Sequence, residues 1–95
     1  MVEILLEERE TQSVNHYCVA TDDHRYDFSV IYSNHFYGKA MVVSLQTGKM
    51  VLMCQDDIEN DLYWAKKLGI TGIDINACQS FFQMILNHKH FANQY

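Results

Sequence analysis

Apolar and polar positions alternate from Arg25 to Ser33, where Tyr26, Phe28, Val30 and Tyr32 are separated by mostly polar neighbours. A period of two marks a strand with one buried face. Ala40 to Gln46 and Lys49 to Cys54 read as two further strands, with Thr47-Gly48 as a tight turn between them. Asn34 to Lys39, which contains Gly38, reads as the turn before Ala40. An earlier strand, about Val14 to Ala20, is set off by the polar stretch Thr21-Asp22-Asp23-His24. Its inner face has two competing sets, Val14/Cys18/Ala20 and Tyr17/Val19. Short connections make sequential strands antiparallel, so the expected sheet is a four-stranded meander.

Turn length sets the expected register. A two-residue turn at Thr47-Gly48 pairs Leu45 with Met50, Val43 with Leu52 and Met41 with Cys54. A loop centred near Phe36 and Tyr37 pairs Phe28 with Leu45, Val30 with Val43 and Tyr32 with Met41. All these side chains then share the inner face, and a one-residue slip would divide them between faces. The same register leaves Ile31, Val42, Val51 and Met53 adjoining one another on the outer face. An apolar cluster on a solvent-facing sheet is usually covered by something.

The period changes after Cys54. Asp56, with Glu59 three residues on, reads as the start of a helix. Its stripe is Ile58, Leu62, Ala65 and Leu68, with Lys66 and Lys67 in the last turn and Gly69 as the stop. Trp64 falls off that stripe and is expected at a helix edge. Thr71 or Asp74 opens a second helix through about Asn87, with Ile75, Cys78, Phe82 and Ile85 inward. Strands followed by helices predict an α+β fold, both C-terminal helices packing on the Tyr26/Phe28/Val30/Tyr32 face. Residues 1–95 form a single domain, of which residues 1–12 read as an arm. The Ile4-Leu5-Leu6 cluster in that arm is compatible with a short strand, a helical turn or a loose segment.

Composition narrows the function. Apolar residues make up 48% of the chain, enough to order it without staples. A formal charge of −5, with its seven basic residues scattered, disfavours nucleic acid and anionic membrane surfaces. The acidic N-terminus does not resemble a secretory leader, and no apolar run approaches the ~18 residues of a membrane helix. Cys18, Cys54 and Cys78 form no C-x-x-C pair and are expected to be buried free thiols, so the setting is cytoplasmic.

Candidate chemistry is sparse. Thr21-Asp22-Asp23-His24 contains metal-ligand types, but a polar turn accounts for them better. The His35–Lys39 turn is more mixed: the imidazole of His35, phenol of Tyr37 and ammonium of Lys39 suit a small anion, or a metal if His16 joins them. A hairpin loop whose Phe36 or Tyr37 plugs the end of the core is the simpler account of that turn. His88-Lys89-His90 reads as a solvated helix end. No serine or cysteine lies in a Gly-flanked elbow and no Gly-rich phosphate loop exists, so catalytic, cofactor-binding and metal residues are all expected to be none.

Arg25-Tyr26-Asp27-Phe28, Ile31-Tyr32-Ser33-Asn34-His35-Phe36-Tyr37-Gly38-Lys39, Gln46-Thr47-Gly48-Lys49 and Asp56-Asp57-Ile58-Glu59-Asn60 together resemble a domain-of-unknown-function family. Its members are small cytosolic proteins of low-GC Gram-positive bacteria. The chain departs from the family's usual pattern at Lys49, where arginine is commoner, and at Ala40, where proline is frequent. The resemblance implies a small α+β fold and cytosolic residence, and it implies no activity.

The expected function is therefore a non-enzymatic interaction domain, most simply a homodimer, otherwise one bound to another protein. Its candidate interface is Ile31, Val42, Val51 and Met53. The cover over that face is the Ile4-Leu5-Leu6 arm, a second copy of the chain, or a different protein. The alternative is a small-ligand or metal-binding protein using the His35–Lys39 turn.

Overall fold

The computed structural model describes residues 1–87. Four strands, β1 (Ser13–Ala20), β2 (Arg25–Tyr32), β3 (Ala40–Ser44) and β4 (Met50–Met53), form one antiparallel sheet in chain order. Helical segments follow and cover one face, so the α+β class and the meander are as expected. His88-Lys89-His90 lies outside the described residues.

The Tyr26/Phe28/Val30/Tyr32 face is buried, as its alternation requires. Phe28 lies at its centre, 5.5 Å from Phe82 and 5.9 Å from Phe81 between ring centroids. For β1 the structure selects the Tyr17/Val19 set: Tyr17 faces Phe28, Val19 faces Tyr26, and Tyr17 meets the edge of Phe81.

The register of β3 differs from expectation by one residue. Phe28 pairs with Ser44, Val30 with Val42 and Tyr32 with Ala40. The connection from Ser33 to Lys39 holds a 3-10 turn at Asn34–Phe36, then Tyr37 (φ 55°) and Gly38 (φ 80°), both left-handed. Two left-handed residues in succession reverse the chain sooner than an open loop would. The β3–β4 turn also differs. Ser44 N–H donates to the Lys49 carbonyl and Gly48 N–H to the Ser44 carbonyl, giving a four-residue loop at Leu45–Gly48. That moves the β3–β4 pairing by two, which preserves facing, so Val42 pairs with Val51 and Ala40 with Met53.

The one-residue shift, passed on by a β3–β4 pairing that keeps facing, turns the whole β3–β4 hairpin over. Ala40, Val42, Ser44, Val51 and Met53 point into the core, and the expected inner set of Met41, Val43, Leu45, Met50 and Leu52 lies outside. Volume favours this arrangement. Tyr26, Phe28 and Tyr32 of β2 share the buried layer with Trp64 and Phe82, and β3 adds to it only the small or β-branched Ala40, Val42 and Ser44.

The first expected helix is broken. A 3-10 turn at Gln55–Asp57 begins with Cys54 N–H donating to Asp57 Oδ2 at 2.9 Å. Helix α1 then spans only Asp61–Trp64, because Asn60 (φ −93°, ψ 75°) is not helical. The break resets the phase between Ile58 and Asp61. Trp64 is completely buried and donates from Nε1 to the Ile58 carbonyl at 3.0 Å, whereas Leu62 is 89% exposed. Trp64 is thus a core residue rather than an edge one. Gly69 (φ 71°) ends this region as expected, with Ile70 N–H reaching back to the Ala65 carbonyl.

Helix α2 (Ile75–Ile85) follows a 3-10 turn at Gly72–Asp74 and buries Cys78, Phe82 and Ile85. The thiols are free, but only Cys78 is buried; Cys54 is half-buried and Cys18 is exposed.

Candidate interaction surface

The outer face of the sheet is assembled from the positions that the register turns away from the helices. Val14 pairs with Ile31, Ile31 with Met41, and Met41 with Leu52. These four side chains form a row across all four strands, about 14 Å long at ~4.8 Å per strand. The adjacent row runs His16, Ser29, Val43 and Met50. His16 Nδ1 lies 2.7 Å from Ser29 Oγ, so that row is polar at its β1 end and apolar at its β4 end. Beyond it, Asp27 is held by Arg25 Nη2 at 3.2 Å and by Gln46 Nε2 at 2.7 Å. Those contacts keep its carboxyl below the ordinary range even though partial desolvation pulls the other way. Val14 and Met50 are exposed, while Ile31, Met41, Val43 and Leu52 are half-buried.

Of the four expected interface residues, only Ile31 belongs to this surface. Val42, Val51 and Met53 are in the core, for the register reason given above. Met41, Val43 and Leu52 take their place. Their apolar character is plain in the chain, but β3 reads Ala-Met-Val-Val-Ser, apolar at both parities, so periodicity alone does not tell inside from outside.

Beside this face runs the arm. Residues 1–12 have no regular secondary structure. Glu8 Oε2 pairs with His35 Nε2 at 2.8 Å, and the Ser33 hydroxyl donates to the Glu10 carboxylate, which lowers that carboxyl's pKa. Ile4, Leu5 and Leu6 are exposed beyond this latch.

The three groups of the His35–Lys39 turn do not converge. His35 faces Glu8, Lys39 Nζ lies 3.0 Å from Asp57 Oδ2, and Tyr37 is 92% exposed. His16 is engaged with Ser29, in mid-strand, rather than with His35. Among the described residues no group of three or more His, Cys, Asp or Glu is placed to hold a metal ion.

Another polar constellation is built around Asp74, which is buried at the N-terminus of α2. Its Oδ2 accepts from the Tyr26 hydroxyl at 2.6 Å and the Thr71 hydroxyl at 3.1 Å, and lies 2.7 Å from His24 Nδ1. The Tyr26 bond is the chief reason that its pKa falls to about 2. Thr21 Oγ1 meanwhile accepts from the backbone N–H groups of Asp23 and His24. The Thr21–His24 stretch is thus a turn that ties β2 to α2. Sequence reasoning missed Asp74 in this role because its partners β1–β2 and α2 lie far apart in the chain.

Residues 5–84 match the SAV0927-like family. The chain belongs to that family. No curated protein matches it. Family membership supplies an expected fold, not an activity, so function has to be argued from the surfaces of this SAV0927-like domain.

Proposed function

We propose that the domain is a non-enzymatic protein-interaction module that self-associates through the outer face of its sheet. The observation that carries this is the Val14–Ile31–Met41–Leu52 row with Val43 and Met50 beside it. An apolar row spanning a whole sheet, next to a fully formed core on the other face, is surplus to the folding of one chain. Symmetric pairing is the commonest way for a small domain to cover such a surface. The contact residues in this reading are Ile31, Met41, Val43 and Leu52. Cytoplasmic residence in a low-GC Gram-positive cell belongs to the same proposal, which rests there on the resemblance; no described helix is long and apolar enough to cross a membrane. The small-ligand reading of the His35–Lys39 turn draws less support, since His35 and Lys39 each already face a carboxylate.

Val43→Lys tests the proposal. Val43 is half-buried on the outer face, so a lysine there reaches solvent in the monomer without entering the core. The expected result is a wild type that sediments as a dimer at high micromolar concentration and a variant that sediments as a monomer with an unchanged circular dichroism spectrum. A monomeric wild type, or a variant that still dimerises, would overturn self-association through this face.

A further inference from the structure

We infer that the occupant of the outer face is the N-terminal arm of a second copy, exchanged reciprocally in a two-fold dimer. This rests on the proposed role of the outer face and adds the identity of the segment that covers it. The half-buried Ile31–Met41–Leu52 row and the Ile4-Leu5-Leu6 cluster, whose side chains are 72–90% exposed, stand apart within one chain. What keeps them apart is the latch. Glu10 is held by Ser33, two residues beyond Ile31, and Glu8 by His35. Leu6 lies two residues outside Glu8 and Ile4 four, so the cluster projects about 7–13 Å past the latch at ~3.3 Å per residue.

Covering its own face would require the arm to reverse within those few residues. Nothing there favours a reversal: no glycine precedes Gly38, and the chain has no proline at all. An extended arm that cannot easily turn back is suited to another molecule. A two-fold axis near the Ile31 margin carries each arm over the partner's face, and the two apolar features are then buried reciprocally.

Charge is compatible with this pairing. The arm carries Glu3, Glu7, Glu8 and Glu10, whereas the only carboxylate set among the outer-face rows is Asp27, already paired with Arg25. An acidic arm therefore meets no unpaired acid on the face it covers.

The experiment has two parts. Removal of residues 1–7 is read first by sedimentation. The expected product is a folded monomer under conditions where the full chain is a dimer, and Leu5→Asp in the full chain should weaken dimerisation about tenfold or more. A truncated chain that dimerises as well as the full one would overturn arm exchange while leaving the outer-face reading intact. A full chain that is itself monomeric would remove both. The second part locates the contact. In a Cys18→Ser, Cys54→Ser background, chains with Leu5→Cys are mixed with chains carrying Met41→Cys and oxidised. Arm exchange requires a disulfide between the unlike chains. If the link forms only within a single chain bearing both substitutions, the arm covers its own face and the inference fails.

Discussion

The two faces of the β3–β4 hairpin are nearly equal in apolar content but differ in what they meet. The inner face pairs the rings of β2 with Trp64, Phe81 and Phe82 and closes over Ala40, Val42 and Ser44 of β3 and Val51 and Met53 of β4. The outer face carries Met41 and Leu52, which are half-buried, and Met50, which is exposed. Hydrophobicity alone would not have assigned the faces in this way, because Met and Leu are at least as apolar as Ala40, Val42 and Ser44. Shape decides. In β3 the layer already filled by aromatic rings takes Ala40, Val42 and Ser44, and Met41 is left on the other face.

Adjacent residues of β3 offer the strongest way to break this comparison. Val42 is completely buried and Val43 is half-buried on the opposite face. Val42→Lys would place an ammonium in the aromatic layer with no partner, a change of roughly 4 kcal/mol or more. Against a total stability of about 5–10 kcal/mol, most of the fold would be lost. Val43→Lys should leave the fold intact and remove association. If the two variants exchanged behaviours in thermal melts and sedimentation, the hairpin would face the other way.

The hairpin's orientation is secured partly at its tip, where a smaller effect is expected. Thr47 Oγ1 donates to the Lys67 carbonyl at 3.3 Å, and a Cβ built on Gly69 would lie 2.6 Å from Thr47 Cγ2. Gly69 is also left-handed, at φ 71°. Gly69→Ala therefore combines backbone strain with a clash and should cost about 1–3 kcal/mol in denaturant unfolding. Adding Thr47→Ser removes Cγ2 but keeps the hydroxyl, so part of that loss should return. Gly48 has the same φ but open space around it, and Gly48→Ala should cost only the strain. Equal losses at the two glycines would show that the Thr47 contact does not anchor the hairpin.

These contrasts also explain how much could be read from the chain. Strand β2 was legible because Asp27 and Ser29 interrupt its apolar positions, which leaves one consistent inner face. Strand β3 was not, because its two faces are both apolar and the choice between them depends on the Tyr37–Gly38 conformation in the turn before it, which carries no periodic signal. Turn length predicts Val42, Val51 and Met53 outside, and the observed register puts Met41, Val43 and Leu52 there instead. Trp64 was misplaced for a local reason: Asn60 interrupts the helix and shifts the phase of everything after it. The arm was recognisable as a segment, yet its latch depends on Ser33 and His35, which only the folded β2–β3 turn presents.

The smallest expected effect concerns the end of the sheet farthest from the arm, where Asp74 joins β2 to α2. Its pKa of about 2 lies below the ordinary carboxylate value of 3.8 from which it is shifted. Between those values the unfolded chain binds a proton that the folded chain refuses, so acidification favours unfolding. The contribution is fully present above about pH 5, erodes as pH falls through 4 and 3, and is gone below 2. Glu10, Asp27 and Asp57 are shifted in the same direction, so the wild-type profile alone does not isolate Asp74. Tyr26→Phe does, because the Tyr26 hydroxyl is the largest cause of the shift and the ring is retained for packing. The variant should melt at a lower temperature than wild type at pH 6, and the gap should narrow steadily towards pH 2. A gap that stays constant across that range would mean that the hydroxyl stabilises the protonated and ionised carboxyl alike, and that the Asp74 network is held by packing rather than by charge.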